Sequence, residues 1–324
     1  MQIVINSYGS YIRKRGECFE IGVDDKKQEI SARKVQTILI STSALISSDA
    51  ILLAHENNID IIFIDQFGNP FSRVWHSRFG STNYIRRKQL EYSDNEKGLK
   101  LVIEWIGKKM ENQKELLEKL QKTRKDKSDK LDEYIETIGS SIEELYSINA
   151  NSTDEVRNMI FAIEGMGGRI YFEALSYILP TKYKFKTRSR NPAKDEFNAF
   201  LNYGYGVLYS KVERACIISG LDPFIGFLHT DNYGKKSFVF DIIELFRLYV
   251  DEIVVKLFSK RMVKKDMFEY IKNGVVLGKD GKQILLSKFN ESMETTIRYR
   301  NRNVKKKNVI ELECHRLANS FIKK

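Results

Sequence analysis

Cysteine is scarce: Cys18, Cys216 and Cys314 are the only three in 324 residues, far apart and without a CxxC pair. That count argues against a disulfide framework and against a zinc ribbon. Cys216, set in VERACIISG, reads as a buried thiol. Long apolar runs are missing too. No stretch reaches the roughly 18 apolar residues that a membrane span needs. The N-terminal MQIVINSYGSYIRKRG lacks the apolar core of a signal peptide. The expectation is a soluble, cytoplasmic chain without a membrane partner. Proline occurs only four times, which leaves room for long helices. Acidic side chains are in deficit, with 43 Asp plus Glu against 54 Lys plus Arg and a formal charge of +11. Such an excess favours a polyanionic partner, although a lysine surplus alone is common among soluble proteins. With 30% of residues charged, most charges must lie on solvated faces, while 42% hydrophobic residues supply a real core.

What is present divides the chain. Residues 1–75 read as a small β domain, 76–82 around HSRFGS as a linker, and 83–324 as a larger all-α domain, giving an α+β chain. In the first block QIVIN, YIRKRG, CFEIGV and VQTILIS are short strands, with turn chemistry at Asp24-Asp25 and Gly68-Asn69. SDAILLAHE reads as one helix capped by Ser47 or Ser48, and IDIIFID as a buried strand. Beyond Thr82, LKLVIEWIGKKMENQKELLEKLQK sets Leu101, Trp105, Met110, Leu116, Leu117 and Leu120 on one broad face. The mixed charges from Lys108 to Lys130 read as solvated. A second helix spans KLDEYIETIGSSIEELYSI. The NSTD cluster ending at Asp154 opens a third, which stops at Pro180. NPAKDEF starts a fourth that runs to about Ser219, and Asp241 to about Lys260 is helical again. GVVLGKDGKQILL reads as a hairpin turning at Lys279-Asp280-Gly281, and basic helices close the chain.

Chemistry concentrates between Gly220 and Arg247, in GLDPFIGFLHTDNYGKKSFVFDIIELFR. His229 precedes a polar loop, and Glu244 follows 15 residues later, close enough for the chain to return. Asp241 and Glu244 stand at i and i+3 of a helix and share a face. Two clustered carboxylates repel and need a cation. A metal ion meets that need, and so does an internal salt bridge to Arg247, one turn on. Glu164 lies in the apolar helix IFAIEGMGGRIYFEAL, with Ile160, Gly167, Gly168 and Tyr171 on its face. It reads either as a carboxylate with room for a ligand or as a half-exposed glutamate paired with an arginine. His229 likewise reads as a ligand or as a loop histidine bonded to backbone. Taken together, Glu164, His229 and Glu244 suit Mn²⁺ or Mg²⁺ better than Zn²⁺.

Several blocks then occur in a telling order: EGMGGRIYF, RNPAKDEFNAFLNYGYGVLYSKVERACIISGLDPFIGFLH and SFVFDIIELFRLYVD, preceded by LISTSALISSDAILLAHENNIDIIFIDQFGNP. The pairing of GLDPxIGFLH with DxxExFR resembles the CRISPR-associated integrase, the Cas-one family of the spacer-acquisition machinery. The likeness covers nearly the whole chain, and only the stretch from about 93 to 150 is generic. It implies that Glu164, His229 and Glu244 are the catalytic metal ligands, with Asp241 at the auxiliary acidic position. Some relatives carry Asp where Glu244 stands, and many carry Ala or Ser at Gly167-Gly168. It also implies a homodimer built through the β domain and a complex with the small ferredoxin-like Cas-two protein. Strands such as VQTILIS, which would otherwise leave an open edge, agree with a subunit interface there.

The implied reaction is phosphoryl transfer on double-stranded and branched DNA. A 3′-hydroxyl of a foreign fragment attacks a phosphodiester in the CRISPR repeat. Arg247 is placed to steady the phosphate or the acidic cluster. Further DNA contacts are sought in Arg86, Arg87 and Lys88, in Lys184, Lys186, Arg188 and Arg190, and in Arg298, Arg300 and Arg302 with Lys305 to Lys307. Tyr299 is interleaved there to stack on a base, and Tyr171 joins the contact set. Each basic run also reads as a plain solvated face. A non-catalytic DNA-binding scaffold and a hydrolase for another phosphate ester are the competing functions.

Overall fold

The β-branched residues of the first block pair across strands as their alternation demands. The computed structural model describes residues 1–23, 26–35, 37–57, 59–65, 70–74, 83–230 and 233–322. The expected turns at Asp24-Asp25 and Gly68-Asn69 and the 76–82 linker lie outside the described residues. Strands β1 (Gln2–Ile5), β5 (Thr37–Ile40) and β7 (Asp60–Ile64) run parallel, and β8 (Pro70–Val74) adds antiparallel on β7. Ile3, Ile38 and Ile61 stand in register across three strands, and all are buried. β5 is buried at all four positions, as a strand covered on both faces should be. A second sheet follows the order β4 (Lys26–Ser31), β3 (Cys18–Val23), β2 (Ser10–Arg15), β6 (Ala44–Ile46). Helix α1 (Ser48–Glu56) is capped by Ser47, whose hydroxyl accepts from the Ala50 amide at 3.2 Å.

The rest is mostly helical. It comprises α2 (Asn83–Ser93), α3 (Glu96–Gln121), α4 (Ser128–Tyr146), α5 (Thr153–Ile178), α6 (Glu196–Ser219), α7 (Ser237–Ile243) and α8 (Leu248–Ser259). Then come β9 (Phe268–Ile271), β10 (Gly274–Leu277), α9 (Lys279–Met293), β11 (Thr296–Tyr299), β12 (Arg302–Lys305) and α10 (Lys306–Ile322). Local signals explain the ends. Asn95 caps α3 through the amides of Lys97 and Gly98, and Asp195 caps α6 through Asn198. Pro180 holds Leu179 extended and ends α5. α3, α4 and α5 pack on one another, while α6 is buried nearly all round against α7, α8 and α10. At Gly167 of α5 a Cβ would stand 2.6 Å from Met110 Cε of α3, so glycine permits that close approach; Gly168 faces open space.

Four expectations change. VQTILIS leaves no open edge, because β5 lies between β1 and β7. The hairpin is β9–β10, turning at Lys272 and Asn273, and Lys279 begins α9 instead of a turn. Gly281, Leu285, Phe289 and Met293 recur every four residues and bury one helical face, a signal that outweighs Asp280-Gly281 as turn chemistry. The segment expected as one helix from Asp241 starts at Ser237 and tightens to a 3₁₀ turn at Glu244–Phe246. Arg298, Tyr299 and Arg300 lie on the β11–β12 hairpin and not on a terminal helix.

One core fills the strand-rich part. A larger one fills the helical part and takes in Leu39, Ile62 and Ile64 from the sheet. An ion network crosses between them. Arg73 of β8 meets the buried Asp60 at 3.2 Å and Glu213 of α6 at 3.2 Å, and it donates to the Ser210 carbonyl at 2.8 Å. Lys236, at the start of α7, meets Glu213 at 2.6 Å. Burial pushes the Asp60 carboxyl up to about 6, with Arg73 opposing it. Removing Arg73 leaves the buried Asp60 without its ion-pair partner and Glu213 with Lys236 alone. Arg73→Met is therefore expected to cost about 3–5 kcal/mol in urea unfolding. A loss below about 1 kcal/mol would show that the network carries little of the contact.

Candidate active site

The loop between α6 and α7 is held from four sides. Gln89 of α2 donates to the carbonyls of Asp222 (2.9 Å) and Ile225 (3.1 Å) and accepts from the Asp222 amide at 2.8 Å. Arg157 of α5 donates to the carbonyls of Phe227 and Leu228. Asp241 of α7 accepts from the amides of Phe227 (2.6 Å), Leu228 (3.3 Å) and His229 (3.0 Å). Trp105 of α3 packs on Phe227 and Phe238, with ring centroids 5.5 and 6.0 Å apart. Gly226 fits because a Cβ there would sit 2.1 Å from the His229 carbonyl oxygen. The loop is thus a rigid mount for His229.

His229 Nδ1 lies 2.7 Å from Asp241 Oδ1. A carboxylate accepts here, so Nδ1 is the donating nitrogen and Nε2 is the one turned away from Asp241. Asp241 is spent on this histidine and on three amides. Glu244, three residues on, is spent differently. Its Oε1 takes Arg247 at 2.7 Å, and its Oε2 meets Lys109 Nζ of α3 at 2.6 Å. The same ammonium contacts Glu164 Oε1 of α5. Burial alone would raise Glu244, but Arg247 and Lys109 hold it well below the carboxylate range. For Lys109 burial works downward, and the two glutamates outweigh it and raise the ammonium.

Glu164, His229 and Glu244 line one cavity of about 710 Å³, with Arg188, Arg190 and Arg247 on its wall. A second cavity of about 510 Å³ lies against the same two glutamates and three arginines and adds Lys109, Gln113 and Lys186. Arg188 is held by Asn198 (2.9 Å) and Asn202, with the Tyr205 ring 5.5 Å away, and burial lowers its guanidinium. Arg247 is raised: burial opposes the charge, and Glu244 outweighs it.

Not every expected residue arrives here. Tyr171 is fully buried and donates to Asp251 at 2.8 Å, so it contacts no DNA. Tyr205 donates to the same carboxylate, which burial pushes up to about 6. Arg86 lies 3.8 Å from Asp222 and Arg87 is exposed; neither lines the two cavities. Arg298 and Arg300 are exposed on the hairpin, also off the cavities. Tyr299 is tied to Glu313 through its hydroxyl and half-buried, not splayed for stacking. Glu164 pairs with a lysine and not the arginine considered for it. Lys109, expected on a solvated face, is buried. Its signal was present: it follows Val102 by seven and Trp105 by four, on the apolar face of α3. Gln89 and Arg157 carry no comparable pattern.

The metal that the resemblance implies suits these residues chemically. Two carboxylates and an imidazole favour Mn²⁺ or Mg²⁺, and Glu164 and Glu244 already converge on one positive centre. Among the described residues no three His, Cys, Asp or Glu side chains are grouped to hold an ion as they stand. The positive centre is the Lys109 ammonium.

Among the described residues no helix is long and apolar enough to cross a membrane. The chain is 32% identical to a CRISPR-associated endonuclease Cas1 of Archaeoglobus fulgidus, over 97% of this chain and 94% of the relative. It shares its fold with a casposase bound to integration product (TM-score 0.86, 21% identity, 99% of this chain and 90% of the other). It shares it also with a Cas1 protein from Thermotoga maritima (TM-score 0.82, 21% identity, 100% and 98%). The family profile described as CRISPR associated protein Cas1 matches residues 3–291, and the chain belongs to that family.

Proposed function

We propose that this protein is a metal-dependent DNA endonuclease and integrase that inserts foreign fragments into a CRISPR array. The observation that carries the reading is the shared cavity. Glu164 of α5 lines it together with His229 and Glu244, and so do Arg188, Arg190 and Arg247. The endonuclease name of the Archaeoglobus fulgidus relative supports the same class of chemistry.

In this reading Glu164, His229 and Glu244 hold Mn²⁺ or Mg²⁺. The ion, when bound, polarises the phosphoryl oxygen and stabilises charge on the attacking or leaving oxygen. The protein's own groups position the substrate. Arg188 and Arg190, which line the cavity, would contact phosphate oxygens, and Arg247 fixes Glu244. Asp241 keeps the proton on Nδ1 of His229, so that Nε2 is the nitrogen offered to the ion. The 3′-hydroxyl of the incoming strand displaces the 3′-oxygen of the repeat. Water in its place gives nicking.

The strand-rich part forms the homodimer contact, and the assembly receives the small Cas2 protein. Tyr8, Leu45 and Phe71 support this by exposing large apolar side chains there. Light scattering at micromolar protein should report a dimer; a strict monomer would remove this part of the proposal.

Two variants test the site. With Mn²⁺ and a branched DNA substrate, the wild type should transfer or nick strands and His229→Ala should not. Equal activity of a clean His229→Ala preparation would end the metal-site reading. Asp241→Asn removes the acceptor that orients His229, and is expected to lower Mn²⁺ affinity or activity by roughly 10–100-fold. An unchanged Mn²⁺ titration would show that Asp241 serves only the loop.

A further inference from the structure

Lys109 has no part in the chemistry just described, yet it sits at its centre. Its ammonium touches Glu164 and lies 2.6 Å from Glu244 Oε2. Both contacts are short and charge-assisted, so the ammonium bridges the two carboxylates. Leaving this position costs the ammonium both contacts, and a more highly charged cation can compensate the two carboxylates in its place. One helical turn further along α3 stands Gln113, 4% exposed, which lines the same cavity as Lys109. Gln113 Oε1 is buried and has no hydrogen-bond partner. A buried acceptor left unpaired costs free energy, and Lys109 lies at i−4 from it, on the same helical face.

We propose that Lys109 is a resident competitor for the divalent cation: it holds Glu164 and Glu244 together until the metal displaces it, and Gln113 then accepts its ammonium. This rests on the metal-site reading above and adds what sets the affinity of that site. A divalent cation between Glu164 and Glu244 would be repelled by the ammonium that already lies there. In the proposed exchange the metal drives the ammonium out, and the apparent affinity is reduced by the fraction of molecules in which Lys109 is out. The long, flexible lysine stem suits such a movement, and the partner-free oxygen of Gln113 gives it a destination inside the protein. The site is thereby kept electrically balanced and pre-shaped at low metal.

Isothermal titration of Mn²⁺ into the full chain, together with melting curves with and without Mn²⁺, tests this. Lys109→Met should bind Mn²⁺ at least about tenfold more tightly than wild type, because the competing state is gone. It should also melt lower without Mn²⁺ and recover more on its addition. Gln113→Leu loses no bond in the present arrangement, so its metal-free melting should match wild type while its Mn²⁺ affinity falls severalfold. Glu164→Gln and His229→Ala are run beside them. If both of these lose Mn²⁺ binding while Lys109→Met binds no tighter than wild type, the competitor role is overturned and the metal site stands. If Lys109→Met does not fold, an unchanged affinity in Gln113→Leu overturns the proposal instead. If neither Glu164→Gln nor His229→Ala affects Mn²⁺ binding, the metal-site reading itself has failed, and the competitor role with it.

Discussion

Two carboxylates cannot share a buried wall unless something positive sits between them. Glu164 is half-buried and Glu244 is 4% exposed, and an uncompensated charge in such a place costs several kcal/mol. The Lys109 bridge meets this constraint, and the arrangement of three segments follows from it. α3 must come close enough to α5 for a lysine on one to reach a glutamate on the other. Gly167 makes that possible by letting Met110 lie on the helix backbone. The turn after α7 must deliver Glu244 to the same point, and the 3₁₀ tightening at Glu244–Phe246 occurs there.

Asp241 and Glu244 illustrate how spacing on a helix differs from function in a site. They are three residues apart, and spacing alone makes them one cluster. The structure divides them. Asp241 lies 1% exposed and takes three amides and the His229 ring, so its charge is spread over several donors of one loop. Glu244 takes two full cations. The first arrangement stiffens a loop, and the second balances a cavity. His229 and Glu244 reach the same wall because one short segment, 227 to 247, carries both.

Much of the fold was legible because its signals are local. Periodicity and caps placed α3, α5 and α6 within a few residues, and Pro180 marked the end of α5. The family blocks brought Glu164, His229 and Glu244 forward, and all three line one cavity. What escaped was long-range. Lys109 is 55 residues from Glu164, and a lysine among glutamates reads as solvated until its neighbours are known. Gln89 clamps a loop 133 residues away, and nothing in KQLEYS announces it. Tyr171 shares the Glu164 face by spacing, but it lies two turns further along, where α8 covers it and Asp251 takes its hydroxyl. Turn signals also compete: Asn273-Gly274 and Asp280-Gly281 both invite a hairpin, and helical burial after Lys279 decides between them.

The arginines around the cavity differ in how much charge they have left. Arg247 is committed to Glu244 by two contacts, at 2.7 and 2.8 Å, and its guanidinium lies 4.7 Å from the Tyr205 ring. Arg188 is buried to a similar depth, but its partners are the neutral amides of Asn198 and Asn202, and among the described residues no carboxylate lies within ion-pair distance of it. A desolvated guanidinium with only neutral acceptors is electrostatically unfinished. A phosphate oxygen in the cavity supplies the missing charge and the bidentate geometry a guanidinium prefers. The +11 excess of the whole chain draws a polyanion to the surface without choosing a place. In the proposed reading Arg188 would choose it, because there the gain from an incoming anion is not already taken by a carboxylate of the protein itself.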